Sequence, residues 1–218
     1  DMAVFFASHG WNDILIAFPV NVLQIDVLKY LSKQVKLSLV VDSESAIEVL
    51  NNEIDDAIDV YIKIDTGYHR VGIWYEEVNQ IKDLGELIRG PHQFKGLLAH
   101  FGHTYGAKST EEIQSIYQYG VEALNKLRDA IDKNLLISIG DTPSCSLIDS
   151  FENIDEIRPG NLIFYDVMQS AIGSCSYEDI AVCLAAPVVA VYPERSEVVV
   201  HGGAVHLSKD RLQDVDGE

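Results

Sequence analysis

Short continuous apolar runs alternate with amphipathic stretches along most of the chain, and this alternation predicts strands separated by helices. "DILIAFPV", from Asp13 to Val20, reads as a buried strand, with a helical pattern following from Val22 to Gln34. "KLSLVVDS" is the next strand, and Ser43 is placed to cap a helix through Leu50. "DVYIKIDTG" precedes a helix around Glu76 to Ile88 that stops at Gly90, and "GLLAHFGH" precedes a long helix from about Thr110 to Lys133. "LLISIGDT" leads into a short helix from Pro143 to Phe151, with proline where helix starts tolerate it. A last strand lies near "IDEIRPG", and the opening "DMAVFFASHG" is helical in pattern.

Apolar strands separated by helices indicate a parallel sheet with helical cover, which fits either a doubly wound sheet or a (β/α)8 barrel. The strand ends favour the barrel. Successive strands finish in polar or glycine-rich segments: Asp42-Ser43, Asp65-Thr66-Gly67, His100 to His103, Gly140-Asp141-Thr142 and Arg158-Pro159-Gly160. A doubly wound sheet concentrates its site at one switch point, whereas a barrel draws on nearly every strand end. Six strands are found where a barrel needs eight, so the first two are expected ahead of Asp1. Beyond Tyr165 the texture changes: "DIAVCLAAPVVAVYP" and "SEVVVHGG" are β-rich runs joined at Pro193-Glu194-Arg195, before an acidic "LQDVDGE". The expected organisation is a partial barrel domain over 1–167 and the start of a β-rich C-terminal domain over 168–218.

A chain of 218 residues with 47% hydrophobic content is long and apolar enough for one well-buried domain. A formal charge of −18, with no clustering of Lys and Arg, argues against nucleic acid or an anionic membrane as partner. The three cysteines, Cys145, Cys175 and Cys183, have no CxxC spacing, so a disulfide framework and a zinc cage are both disfavoured and a cytoplasmic setting is expected. No apolar run reaches the roughly 20 residues that span a bilayer.

Three segments carry candidate chemistry. In "YIKIDTGYHRVGI", two glycines bracket His69 and Arg70 just past a strand, which suits Arg70 to a phenolate or carboxylate; the alternative is a surface turn with a solvated arginine. "GDTPSCS" opens a helix with small residues, hydroxyls and free N–H groups, a plausible phosphate cradle, or else an ordinary cap by Thr142. "HFGHTY" offers His100, His103 and Tyr105 for proton transfer or substrate contact, or as hydrogen-bonded core residues. As a zinc site it is weak, because no third ligand is evident. Lys63 lies mid-strand beside Asp65, and a buried ion pair between them is expected rather than a Schiff base.

Together these motifs resemble the fold-type III pyridoxal-phosphate enzymes, the alanine racemase-like barrels, and within them the D-threonine aldolase and D-serine dehydratase group. The resemblance is carried by "KIDTGYHRVG", "HFGHTY", "SIGDTPS", "EIRPGNLIFYD", "GSC" at 173–175 and "VVVHGGAVHLSKD". It implies a pyridoxal-phosphate-dependent lyase acting on a small D-3-hydroxy amino acid, by retro-aldol cleavage or dehydration. An amino-acid racemase, or a non-catalytic pyridoxal-phosphate-binding protein, is the alternative. It further implies Arg70 near the cofactor's ring hydroxyl, and the loop of Gly140, Asp141, Thr142 and Ser144 together with Gly160 and Asn161 around the phosphate. Arg158 would face the pyridine nitrogen, and His100 and Tyr105 the substrate. In the family the Schiff-base lysine sits on the first strand and the divalent-metal ligands (for zinc, manganese or magnesium) sit in the C-terminal domain. Neither lies within this chain, which is therefore expected to be inactive alone and to belong to a homodimeric parent.

Overall fold

The computed structural model describes residues 2–203, 205 and 206. The opening helix α1 (Met2–Ser8) leads into β1 (Asp13–Pro19), α2 (Ile25–Ser32), β2 (Lys36–Val41), α3 (Glu44–Glu53) and β3 (Asp59–Asp65). There follow β4 (Ile73–Trp74), α4 (Val78–Leu87), β5 (Gln93–Ala99), α5 (Thr110–Ile131), β6 (Leu136–Ile139), α6 (Thr142–Leu147) and β7 (Glu156–Ile157). A short α7 (Val167–Ala171) precedes β8 (Val188–Tyr192) and β9 (Glu197–Val200).

Six strands pair in the order β1-β2-β3-β5-β6-β7, every pair parallel. Each therefore lies beside its predecessor, with no reversal of order and no switch point. Crossovers of one hand then place successive helices on the same face and curl the sheet. This is a mixed α/β fold whose parallel sheet is a half-barrel of six strands, accompanied by the antiparallel β8–β9 hairpin.

Side-chain parity divides the sheet into two unlike faces. Leu37, Leu39 and Val41, Val60, Ile62 and Ile64, Leu97 and Ala99, and Ile137 and Ile139 form one core with Leu31, Ile47, Leu50, Ile81, Leu124 and Leu127 of the helices. The other face carries a smaller cluster of Val40, Tyr61 and Leu98, with Leu15 and Leu136 against it. Two residues from these along the same strands stand the buried Ser38, Lys63 and Ser138. The larger core lies between sheet and helices, and the inner face mixes a small apolar cluster with buried polar groups.

Several boundaries differ from the sequence reading. Ser43 occupies the α3 N-cap position without a side-chain capping bond, and that helix continues to Glu53. The helix at Pro143 ends at Leu147 rather than Phe151. The two-residue β4, the 3-10 turn at Gly102–Gly106 and α7 are too short to show periodicity. Of the apolar run before Pro193, only Val188–Tyr192 pairs as a strand. Ala204 and residues 207–218, which include "HLSKD" and the acidic end, lie outside the described residues. Among the described residues no helix is long and apolar enough to cross a membrane.

Gly96 is where the inner face is tightest: a Cβ there would lie 2.3 Å from the Leu136 carbonyl oxygen and 2.9 Å from the Tyr61 ring. Backbone hems it in on the β6 side, so Gly96→Ala is expected to lose roughly 1–3 kcal/mol through overpacking. Urea unfolding checks this; an unchanged midpoint would show that the strands can spread.

Candidate active site

The C-terminal ends of β3, β5, β6 and β7 bring most of the sequence-selected residues to one mouth. Arg158, directly after β7, donates from Nε to the Ser138 hydroxyl at 2.8 Å. Its Nη2 donates to the carbonyls of Ala99 and Ser138, both at 2.9 Å. Burial draws its pKa down to about 10, against the opposing pull of Glu156, so the guanidinium remains charged at neutral pH. Gly140 must lack a side chain here, since a Cβ would come 2.8 Å from the Arg158 carbonyl.

His100 donates from Nδ1 to the Gly140 carbonyl, which assigns the proton to Nδ1 and leaves Nε2 as an acceptor. Burial pushes this imidazole down to about 4, with Arg70, Lys63 and Arg158 adding to the effect, so His100 is neutral. The Tyr105 ring lies 6.1 Å from it, and the Tyr105 hydroxyl accepts the Thr142 N–H at 3.1 Å. Arg70 lies with its guanidinium carbon 5.2 Å over the Tyr68 ring. It also stands close enough to Lys63 and His100 to disfavour their charged forms.

The loop before α6 departs from expectation. Asp141, not Thr142, caps the helix, accepting the Ser144 N–H at 2.8 Å and the Thr104 hydroxyl at 2.9 Å. With Thr142 N–H bound to Tyr105, Pro143 lacking one and Cys145 N–H on the Asp141 carbonyl, the helix start is already satisfied. A carboxylate cap also disfavours an anion there, although burial raises the Asp141 pKa. The cradle of helix N–H groups expected from the sequence is therefore not formed. Beside it, two of the residues that the resemblance placed around the phosphate meet: the Asn161 N–H donates to the Thr142 hydroxyl at 3.0 Å. At Gly160 an added Cβ would meet nothing within 4 Å, so open space adjoins the pair. Ser144 is fully buried, its hydroxyl without a hydrogen-bond partner among the described residues.

Lys63 is the second departure. No ion pair among the described residues includes it; the Asp65 carboxylate instead binds His69, at 2.9 Å, and the backbone of its own turn. Lys63 is only 3% exposed, and burial, then Arg158 and Arg70, push its amine down to about 7. The pairing of Asp65 with His69 was not read from the sequence, though Asp-x-Gly after a strand is a local turn signal. Among the described residues no three His, Cys, Asp or Glu side chains gather as a metal site.

Comparison with known proteins gives a consistent set of relatives. Residues 7–167 match the alanine racemase N-terminal domain. A D-serine dehydratase of Dictyostelium discoideum is 34% identical over 233 residues, covering 94% of this chain and 57% of the relative. The solved D-threo-3-hydroxyaspartate dehydratase of Delftia sp. superposes with a TM-score of 0.89 at 26% identity, over 96% of this chain and 57% of that one. D-threonine aldolase from Filomicrobium marinum shares the fold, with a TM-score of 0.67 at 19% identity over 78% of this chain and 48% of that one. The chain thus spans a little over half the length of the dehydratases it matches.

The isolated Lys63 amine makes a pH-dependent prediction. Its folded pKa of about 7 lies below the ordinary value of roughly 10.4, so the unfolded chain binds more protons between the two. Native stability should rise with pH across that window, and Lys63→Met should remove the rise. At pH 7 the variant should be more stable by roughly 1–4 kcal/mol, because a buried charge without a partner has gone. Denaturant midpoints measured from pH 7 to 10 check this; a destabilised variant with a flat profile would mean the amine has a partner.

Proposed function

The chain belongs to the alanine racemase N-terminal domain family, and on that footing we propose that it forms most of the barrel of a pyridoxal-phosphate-dependent lyase acting on D-3-hydroxy amino acids. The observation that carries the proposal is the convergence of Arg70, His100, Arg158, Thr142 and Asn161 at one mouth, on four different loops or strand ends. Dehydration is favoured over retro-aldol cleavage, since the 34% identical relative is a D-serine dehydratase and the aldolase shares the fold alone.

The donor set fits a phosphorylated aromatic aldehyde. The Thr142 hydroxyl and the Asn161 N–H, bound to each other beside the open space at Gly160, can turn to a phosphate. Arg158 holds fixed positive charge at the floor of the mouth, for the ring nitrogen, and Arg70 offers its paired donors to the ring hydroxyl or a carboxylate. The cofactor, when bound, supplies an electron sink for the bond broken at Cα. The residues of this chain hold and orient. Neutral His100 presents the Nε2 lone pair, so it accepts a proton or hydrogen bond without adding charge. Tyr105 has its oxygen turned to Thr142 N–H and keeps its own proton for donation.

The reactive lysine and the divalent-metal ligands are assigned by this reading to segments outside the chain. A solved mutant of a D-threo-3-hydroxyaspartate dehydratase is described as being in the metal-free form. The small D-amino acid substrate belongs to the same reading.

Titration of the chain with pyridoxal phosphate, followed by absorbance and intrinsic fluorescence, is the test. Binding should depend on the phosphate, so that free pyridoxal does not compete. Thr142→Leu should weaken it by roughly 1–3 kcal/mol, the loss of a buried hydrogen-bonding group. Equal binding of pyridoxal and its phosphate, or indifference to Thr142→Leu, would remove the phosphate site from this mouth.

A further inference from the structure

Between β3 and β4 the chain leaves the sheet, turns, and returns to pair in parallel with the last residues of β3, Ile64 and Asp65. Three residues of this turn have left-handed backbone: Gly67 at φ 122°, His69 at φ 55° and Gly72 at φ 110°. The two glycines bear this without strain. Gly72 also has no room for more, since a Cβ would lie 2.9 Å from the Lys63 side chain and 3.0 Å from β3 backbone. For His69 the same conformation is strained and persists because something holds it.

What holds it is Asp65. One carboxylate oxygen accepts the N–H groups of Gly67, at 2.9 Å, and His69, at 3.1 Å. The other faces His69 Nδ1 at 2.9 Å. The Asp65 side chain is only 11% exposed, while the His69 end of these bonds is open to solvent. Burial alone would raise its pKa, yet the three bonds outweigh it and hold the carboxyl below its ordinary range. The His69 ring in turn lies 5.4 Å from Trp74 of β4, which closes the turn onto the sheet.

Arg70 follows directly. Among the described residues no ion pair includes its guanidinium, so no carboxylate sets its direction. Its direction comes from the backbone at His69 and from the Tyr68 ring beneath it, 5.2 Å away. That ring is itself wedged against Gly102, where a Cβ would come 2.3 Å from it, and meets His100 edge-on at 5.7 Å. We infer that Asp65 and His69 are positioning residues, a clamp that aims the Arg70 guanidinium into the mouth. The clamp rests on the proposed cofactor only for the identity of the anionic group that Arg70 meets there.

His69 is the residue to change, because its exposed ring can be lost without opening the core. The first readout needs no ligand: the ring-current shift that Tyr68 imposes on the Arg70 side-chain protons, measured by NMR. In His69→Ala this shift should collapse toward the value of a free arginine. His69→Asn should restore it, since asparagine tolerates the left-handed region and can donate to Asp65. The second readout is affinity for pyridoxal phosphate, expected to fall about 5–10-fold in His69→Ala and to return in His69→Asn, the size of one hydrogen bond misplaced. An Arg70 shift unchanged in His69→Ala, or not rescued in His69→Asn, would overturn the clamp. A wild-type chain that does not bind pyridoxal phosphate would overturn the cofactor reading instead, and the Arg70 shift would still decide the clamp.

Discussion

A guanidinium withdrawn from water must find acceptors, and Arg158 finds them on the two strands that precede its own in the sheet. Its bonds to the Ala99 and Ser138 carbonyls and the Ser138 hydroxyl tie together the ends of β5, β6 and β7. Much else at the mouth depends on this. Gly140 is pressed against the Arg158 backbone, and its carbonyl receives the His100 proton. That bond chooses the His100 tautomer, so the chemistry available after β5 is set by the backbone that follows β6. A neutral residue at 158 would take the Arg158 donors from two carbonyls and remove one of the three cations that act on the histidine.

Burial lowers the charge on the other bases of the mouth, and Arg158 adds to the effect. Guanidinium holds its proton far more strongly than imidazole or ammonium, so where the three share a buried face the weaker bases yield. His100 falls to about 4 and Lys63 to about 7, while Arg158 stays near 10. Desolvation leads in each case, and repulsion among the cations adds to it. At neutral pH His100 is thereby uncharged and Lys63 only partly protonated, while Arg158 keeps its charge. This matters in a chain of net charge −18, where an anion has to be attracted by local geometry.

The architecture was legible in the sequence because buried parallel strands leave continuous apolar runs and helices leave gaps between them. The sequential strand order bears out the preference for a barrel over a doubly wound sheet. Short elements were not legible: two residues of β4 cannot display a period. At the site, the partners of Lys63 and Asp65 and the capping residue of α6 differ from the sequence reading. Lys63 and Asp65 share a face of β3, which suggested an ion pair. Asp65 stands at the strand end, however, where unpaired N–H groups of the turn compete for it at shorter chain separation. Likewise Asp141 and Thr142 are both good caps, side by side. The helix begins at Thr142 with Pro143 next, which makes Asp141 the residue before the first turn. Such choices are made by local geometry that residue type alone does not disclose.

The division between the two faces of the sheet explains why a polar site can sit inside a stable fold. Leu97 and Ala99 point to the helices, while Leu98 and His100 alternate with them toward the interior; Ile137 and Ile139 stand in the same relation to Ser138 and Gly140. The outward set buries its apolar area whatever the inward set contains. A one-residue slip of β5 or β6 would exchange the sets, bringing leucine and isoleucine inward and histidine and serine against the helices. The register that secures the core is therefore the same register that brings His100, Ser138, Gly140 and Arg158 within reach of one another. Folding correctly and assembling the site are one event, and neither requires the residues of the site to contribute apolar burial.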